Sequence, residues 1–331
     1  MVRGTAPPPD EGGSGTAVEQ VAPLEPWSRT AIPSFPDFRP LAATDQPRVR
    51  SALARSPGEI SDLTFACLWV WRRTLPVSIA ALDGGLALVI DSGRWPVFAA
   101  PPLGAGDPAA SAERLLRWMR KTYGPAAALR LVPAPLAREL ERRGWRVEAH
   151  RAAADYVYRT ADLIGLSGRR YAAKRNWIRR CLAAHDCRYE RMAGPVTAEC
   201  AAFFEEWCRM RADDAGFELR AEADAVRETF AAWDALGLRG GAVRVDGAIR
   251  AFAVGEPLST SMAVQHFEKA DPAVPGLYQV VNRWFLREEF AGFEWINREE
   301  DLGDPGLRRA KLSYHPARMV EKYVVDGGDA G

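Results

Sequence analysis

The sequence predicts an α/β protein built as two similar units, each a mixed sheet with helices on both faces. Two observations carry this. Between residues 77 and 150 the chain reads hairpin, strand, loop, helix, strand, helix, strand, and between 241 and 325 it reads in the same order. The order repeats while the residues do not, so the duplication is one of topology. Each repeat also opens on the same device, an Asp-Gly pair between alternating apolar runs: Asp83-Gly84 in the first, Asp246-Gly247 in the second. That pair is a strong local signal for a tight hairpin.

The length of 331 residues exceeds one typical domain and agrees with two. Residues 1–27 are rich in Pro, Gly, Ser and acid with few large apolar side chains, which predicts a disordered leader. Residues 28–160 form the expected first unit and 161–331 the second.

In chain order, Thr44 or Asp45 can cap a helix with Pro47 in its first turn, running to about Arg55. Phe65, Leu68, Trp69 and Trp71 fall at helical spacing and predict a buried helix over Ile60–Arg73. Val77–Leu82 and Leu86–Asp91 are the first hairpin, Trp95–Ala100 a third strand, Ala109–Tyr123 a helix. Leu129–Val132, Pro135–Arg143 and Trp145–His150 follow as strand, helix, strand. Helices over Ala198–Arg211 and Ala221–Leu236 lead to the second hairpin, Gly241–Val245 with Ala248–Gly255. Then come a strand Ser261–Glu268, a loop Asp271–Pro275, a helix Gly276–Phe290, a strand Phe293–Asn297, a helix Pro305–His315 and a strand Met319–Val325.

Lys and Arg number 44 against 43 acids, so no global basicity advertises nucleic acid, and any such site must be a local patch. Five cysteines without framework spacing suit a reducing compartment. The opening MVRGTAPPPDEGGSGT has no apolar core, so no secretory signal is expected. The longest apolar runs, such as Phe65–Trp71, are too short to span a bilayer. A cytoplasmic protein without a transmembrane segment is expected, a peripheral place at a membrane surface being the variant.

Chemistry concentrates in Phe293–Tyr323. The strand ending at Asn297 runs into Arg298, Glu299, Glu300 and Asp301, and Asp304 can cap a helix that starts on Pro305. On that helix Arg308, Lys311 and His315 share a face at i, i+3, i+7, while Leu307, Ala310 and Tyr314 share another. Acid, base and anion-binding groups converge there, as in a site, although a surface ion-pair cluster would look the same. His266 and Glu268 share one face of a strand end, where one could steer a nucleophile and the other take its proton. Arg169, Arg170, Lys174, Arg175, Arg179 and Arg180 put six cations in twelve residues with no acid between them. With Tyr171 and Trp177 interleaved they could clamp phosphates and stack bases; a solvated face is the alternative. Cys181, His185 and Cys187 match no zinc spacing, so no metal is expected.

The run INREEDLGDPGLRRAKLSYHP followed by EKY resembles the C-terminal hallmark of the phosphatidylglycerol lysyltransferase C-terminal domain family. Ser61–Phe65 through Trp71-Arg72, Lys174–Asn176, and His266–Ala270 through Gly276–Gln279 resemble further family segments in the same order, so the likeness extends from about residue 28 to the end. The resemblance implies two tandem GNAT-like acyltransferase folds and transfer of an amino acid from aminoacyl-tRNA to a lipid. The lipid-modifying relatives carry a multi-span membrane region that is not seen here. Three readings follow. The first is an aminoacyltransferase that needs no cofactor, uses aminoacyl-tRNA as co-substrate, and serves a lipid at a membrane surface or a small-molecule amine or hydroxyl. The second is an N-acyltransferase using a coenzyme A thioester. The third is a non-catalytic RNA-binding protein. In the loop Asp271–Gly276 two prolines remove N–H donors that a coenzyme A pyrophosphate would want, which a tRNA end would tolerate.

For the first reading, Glu300 or Asp301 would hold the donor's α-ammonium, His266 or His315 would be the general base, and Lys311 would face the oxyanion, with Glu268 beside His266. Lys269, Tyr278, Asn297, Arg298, Arg308, Ser313 and Tyr314 are the candidate substrate-binding residues. Arg170, Lys174, Arg175 and Arg179 are the candidate nucleic-acid contacts.

Overall fold

The computed structural model describes residues 31–56, 58–211 and 216–327; the leader expected over residues 1–27 lies outside them. In chain order the strands are β1 (Arg39–Pro40), β2 (Val77–Leu82), β3 (Gly85–Ile90), β4 (Phe98–Ala99), β5 (Ala128–Pro133), β6 (Arg146–Ala149), β7 (Asp155–Arg159), β8 (Cys187–Arg191), β9 (Arg239–Val245), β10 (Ala248–Pro257), β11 (Met262–Ala270), β12 (Trp295–Asn297), β13 (Arg318–Val320) and β14 (Lys322–Asp326). The helices are α1 (Gln46–Arg55), α2 (Phe65–Val70), α3 (Pro108–Tyr123), α4 (Ala134–Arg142), α5 (Thr160–Gly165), α6 (Ala172–Ala184), α7 (Pro195–Met210), α8 (Phe217–Ala231), α9 (Trp233–Leu236), α10 (Leu277–Glu289) and α11 (Pro305–Leu312).

The strands form two sheets, ordered β1-β2-β3-β4-β5-β14-β6 and β8-β9-β10-β11-β12-β7-β13. Position by position the two orders coincide. Each has a single parallel pair at the same place, β4 with β5 and β11 with β12. Both Asp-Gly turns form as expected, with φ of 49° and 77° at Asp83 and Gly84 and of 49° and 92° at Asp246 and Gly247, the positive values a two-residue hairpin needs.

The sixth place in each sheet is filled by a strand from beyond the other sheet's edge. The chain leaves β6, an edge of the first sheet, and enters the second sheet as β7 between β12 and β13. It leaves β13, an edge of the second, and enters the first sheet as β14 between β5 and β6. A cut at residue 160 therefore does not separate the sheets. Met319–Val325, expected as one strand, is two strands in different sheets, divided at Glu321. Fusion continues in the core: Leu41, Val49 and Leu88 of the first half share one apolar cluster with Phe203, Phe204, Trp207 and Phe252 of the second.

Several elements are shorter than the periodicity suggests, each for a local reason. The helix expected over Ile60–Arg73 is a turn at Ser61–Leu63 followed by α2, because the Thr64 hydroxyl accepts from Cys67 N and starts a new helix. Asp45 precedes α1 but does not cap it; its carboxylate takes Ala42 N at 2.9 Å and Arg39 at 2.7 Å. The strand expected over Trp95–Ala100 is only Phe98–Ala99, and the helix over Ala221–Leu236 breaks at Ala232 into α8 and α9. The last helix ends at Leu312, and His315 lies beyond it with φ 55°.

Candidate active site

Where β12 ends at Asn297 the chain bends sharply through Arg298–Gly303. Glu299 and Leu302 adopt left-handed φ of 59° and 52°, a conformation that costs a side-chain-bearing residue on the order of 1–2 kcal/mol. Neighbours hold the bend from both sides. Asn297, fully buried, accepts from Glu299 N at 2.7 Å and donates to Asp155 Oδ2 at 2.9 Å and the Glu59 carbonyl at 2.8 Å. Tyr156 exchanges backbone bonds with Arg298 and Glu299 at 2.9 and 3.0 Å. From α11, capped by Asp304 at Leu307 N as expected, Lys311 Nζ donates to the carbonyls of Arg298 and, at 3.3 Å, Glu299.

Asp301 is buried and saturated. Arg308 grips it with two bonds of 2.8 and 3.0 Å, Tyr156 OH donates at 2.6 Å, Arg151 at 3.2 Å and Gly303 N at 2.9 Å. Burial works against its charge, but these donors hold its carboxyl well below the usual carboxylate range. Its acceptor positions are filled, so it fastens α11 to the bend instead of holding a substrate ammonium. Arg308 belongs to the same clasp.

Behind the bend lies Lys322, the first residue of β14 and 1% exposed. Its ammonium sits 2.6 Å from Asp155 Oδ1, in contact with Asp62, and 3.4 Å from Glu300 Oε2. Burial opposes this charge, and the three carboxylates override it and hold the ammonium well above its ordinary value. Glu300 in turn is held below the ordinary range, Lys322 outweighing burial. The carboxylate oxygens of Asp62, Asp155 and Glu300 lie within 4.8 Å of one another, the kind of grouping a metal could use, with the lysine as their counter-charge.

On the other side of the bend, His266 of β11 stands between two carboxylates, Nδ1 to Glu299 at 2.8 Å and Nε2 to Glu256 at 3.1 Å. Burial works against its charge, but both hydrogen bonds outweigh it and bring the imidazolium up to about 10. A histidine that keeps both protons at neutral pH is not a free base, so the base role expected of His266 does not fit its surroundings. Glu299 does fit that role. Burial pushes its carboxyl up to about 7, with His266 limiting the rise, so it titrates near neutrality. Lys311 is lowered to about 8, by burial first and by Arg298 second.

The face that His266 and Glu268 were expected to share is lost, because β11 bulges at His266 between the pairs Val254–Phe267 and Gly255–Gln265. Glu268 turns to α10 and accepts from Arg298 at 3.2 Å, Asn282 at 3.0 Å and Gln265 at 2.7 Å. The Arg298 guanidinium lies over Tyr314 at 5.1 Å, and the same ring carries Lys174 Nζ at 3.9 Å. Lys174 also donates to Ser313 at 2.7 Å. The structure thus gathers His266, Glu268, Asn297, Arg298, Glu300, Asp301, Arg308, Lys311, Ser313, Tyr314 and Lys174 into one connected region. Of the catalytic and substrate-binding candidates it leaves out three. His315 is exposed and faces Tyr171 and the Arg170 carbonyl. Lys269, on the face of β11 opposite Glu268, pairs with Glu222 at 2.7 Å over Trp207, and Tyr278 packs against the apolar cluster around α10 with a side-chain hydrogen bond to Trp207. Sequence reasoning missed Asp62, Asp155, Glu256, Glu299, Lys322, Arg151 and Tyr156. Only Asp62, Glu299 and Lys322 stood inside segments it had singled out.

The bend forms one wall of a cavity of about 170 Å³ between the two units. Asp62, Glu299, Glu300 and Lys322 line that wall; Trp71, Leu75, Trp95, Phe98, Leu131 and Tyr323 make an apolar body; Arg130 and His150 complete it. Cys67 also lines it, but burial pushes its thiol well above the ordinary value, so it is no nucleophile at neutral pH.

The basic segment is a turn, Arg169–Tyr171, followed by α6. Its cations are not equivalent. Arg175 donates to the carbonyls of Leu166 and, at 2.7 Å, Gly168, closing the end of α5, and Arg170 pairs with Asp162 at 2.9 Å. Among the described residues Arg179 hydrogen-bonds only to Asn176 within the helix, and Arg180 lies over the exposed Trp177.

Two sheets of one topology, each with a single parallel pair at the same place, define a fold of two tandem GNAT-like units. More narrowly, the chain belongs to the phosphatidylglycerol lysyltransferase C-terminal family, whose model matches residues 54–326. The chain is similar to a conserved protein of unknown function from Bacteroides thetaiotaomicron VPI-5482, at 31% identity and a TM-score of 0.82, covering 88% of this chain and 99% of that one. It is similar in fold to the C-terminal domain of a putative lysylphosphatidylglycerol synthetase from Agrobacterium fabrum, at 18% identity and a TM-score of 0.61, covering 87% and 92%. The same holds for L-PGS from Bacillus licheniformis, at 14% identity and 0.60, covering 91% and 95%. No curated protein matches the chain. Among the described residues no helix is long and apolar enough to cross a membrane.

Proposed function

We propose that the protein transfers an aminoacyl group from aminoacyl-tRNA to an amine or hydroxyl acceptor, a membrane lipid or a small molecule. The observation that carries this reading is the Glu299 carboxylate at the wall of the cavity, on a bend whose Arg298 and Glu299 carbonyls hold the Lys311 ammonium. The acceptor nucleophile attacks the ester carbonyl and gives its proton to Glu299. Lys311 has three N–H donors, two of which serve the carbonyls of Arg298 and Glu299, leaving one for the oxyanion. Collapse of the tetrahedral intermediate expels the ribose oxygen of the tRNA, which takes up a proton. His266, charged between Glu256 and Glu299, orients the base. Arg169, Arg179 and Arg180 offer the RNA its phosphate contacts.

The coenzyme A alternative is less well supported. A Cβ added at Gly276, at the start of α10, would lie 2.5 Å from the Trp177 carbonyl, so α6 covers that helix entrance. At the matching entrance in the first unit, Asp107 already takes the N–H groups of Ala109 and Ala110, both at 3.0 Å, and sets a negative charge where a pyrophosphate would go. The test is incubation of the full chain with mixed radiolabelled aminoacyl-tRNAs and a lipid and metabolite extract. Label moving from tRNA to an extract component supports the proposal. Label moving only from acyl-coenzyme A favours the alternative, and RNA retention without transfer to any acceptor favours a binding protein.

A further inference from the structure

Arg130 is an oddity among the cations of the molecule. It projects from β5, half-buried, into the cavity that Glu299 lines. It makes no hydrogen bond and no ion pair with any described residue, and its Nε has no partner and no solvent contact. Its neighbours are the Phe98 ring, 5.2 Å from the guanidinium, and His150. Burial alone acts on the guanidinium, lowering it, and no acid offsets that. A half-buried guanidinium whose enclosed Nε has no acceptor is an unfavourable arrangement that native structures rarely keep without a use. The backbone presents it deliberately: the next residue, Leu131, has a left-handed φ of 61° and lines the same cavity.

The cavity is therefore polarised. Carboxylates of Asp62, Glu299 and Glu300 stand at the bend, with Lys322 as counter-charge, and an unmatched guanidinium with a half-buried imidazole completes the lining. Burial and the nearby positive charges of Arg130 and Lys322 lower His150, so at neutral pH it is uncharged and can donate or accept. Guanidinium forks suit planar or tetrahedral oxyanions, which they bind through two parallel bonds.

We propose that Arg130, assisted by His150, is the specificity-determining contact for an oxyanion group, phosphate or carboxylate, on the acceptor. The acceptor's amine or hydroxyl then reaches Glu299 within the same cavity. This extends the proposed transfer reaction in naming the acceptor's chemistry, but the oxyanion contact is measurable without any transfer. A neutral alcohol lacks the group that Arg130 needs.

The test is calorimetric titration of the full chain with glycerol 3-phosphate, glycerate and glycerol, together with co-sedimentation on vesicles of anionic phospholipid. Saturable binding of at least one anion, with none of glycerol, is expected. Arg130→Gln should weaken that binding at least tenfold, and Arg130→Lys should recover part of it. If Arg130→Gln melts early, the lysine variant decides: it keeps the charge, and equal loss in a folded Arg130→Lys with no anion binding would overturn the proposal. Soluble anions binding alone mark a water-soluble acceptor. Vesicle binding that falls with Arg130→Gln marks a lipid headgroup, and both support the assignment. Glycerol binding as well as its phosphate, or anion binding indifferent to Arg130→Gln, overturns it. Anion binding without aminoacyl transfer would leave this contact standing and remove the tRNA reading instead. Transfer with an Arg130-independent KM would do the reverse.

Discussion

Lys322 Nζ lies 2.6 Å from Asp155 Oδ1, and these two residues begin the two strands that cross between the sheets. Each sheet receives its sixth strand at this ion pair. Asp155 is further fixed by Ser61 N and Oγ, both at 3.0 Å, and by Asn297 at 2.9 Å. The bond that ties the units together therefore also supports the bend that carries Glu299.

Removing one partner should be far worse than removing both. Lys322→Met leaves Asp155, Asp62 and Glu300 facing one another in the interior, and a broken buried pair costs about 3–5 kcal/mol. Lys322→Met with Asp155→Asn should recover a substantial part of that loss. Urea unfolding of the two variants measures the difference. A loss below about 1 kcal/mol for the single variant would show that the crossing is held by something else.

Asp301 should act on stability rather than on turnover alone. Asp301→Asn removes the charge that two arginines, a tyrosine and a backbone N–H all address, at a cost of about 3 kcal/mol at neutral pH. Because its folded carboxyl is depressed, this contribution is present above the unfolded value of about 3.9 and fades only as pH falls through the lower folded value. The gap between wild type and variant should accordingly persist at pH 4. A gap that closes between pH 6 and 5 would mean another group is responsible.

His266 carries the opposite sign. Its folded imidazolium is raised to about 10, so its contribution is complete below the unfolded value of about 6.5 and is lost as pH rises from there through 10. Catalysis should follow a narrower window. Glu299 must be ionised, which favours pH above about 7, and Lys311 must keep its proton, which favours pH below about 8. A bell-shaped profile of kcat/KM is expected, and Glu299→Gln should lower turnover by about 10²–10⁴ and flatten the acid limb. An acid limb unchanged in that variant would rule Glu299 out as the base. Lys311→Ala should likewise abolish transfer while also loosening the bend, by about 1–2 kcal/mol, through the carbonyls it leaves without a donor.

Local signals in the sequence were legible where the physics is local. Asp83-Gly84 and Asp246-Gly247 specify hairpins by themselves, and Asp304-Pro305 specifies the start of α11. The shared face of Arg308 and Lys311 is a consequence of helical spacing, and both do point at the bend. His315 was misplaced because the helix stops a turn earlier. The strand exchange was illegible because Met319–Val325 alternates as one strand would, and only pairing with Tyr156 on one side and Val132 on the other divides it. Asp155 and Asp62 could not be tied to Lys322, since those contacts join positions 167 and 260 residues apart (322 − 155 and 322 − 62). The sequence reading weighed Glu300 and Asp301 and passed over Glu299, because adjacent carboxylates differ here only in what surrounds them.

The basic segment gives the sharpest separation of structure from binding. Arg175 uses its donors on the carbonyls that end α5, so Arg175→Gln should cost about 1 kcal/mol of stability by removing a cation and two bonds from a helix C-terminus. Arg179 and Arg180 are exposed, and among the described residues their polar and ring contacts are to Asn176 and Trp177 of their own helix, so Arg179→Gln with Arg180→Gln should leave the melting temperature nearly unchanged. If the RNA lies along this helix, each lost phosphate contact releases fewer counterions on binding. The slope of log K against log salt should then shrink by about one to two units in the double variant. Filter binding of tRNA across a salt series measures it. A stable double variant that binds tRNA with the wild-type slope would place the nucleic-acid contact away from α6. It would also remove the electrostatic support for a tRNA donor. A double variant that unfolds would show that these stems pack on the protein and that the charge is incidental.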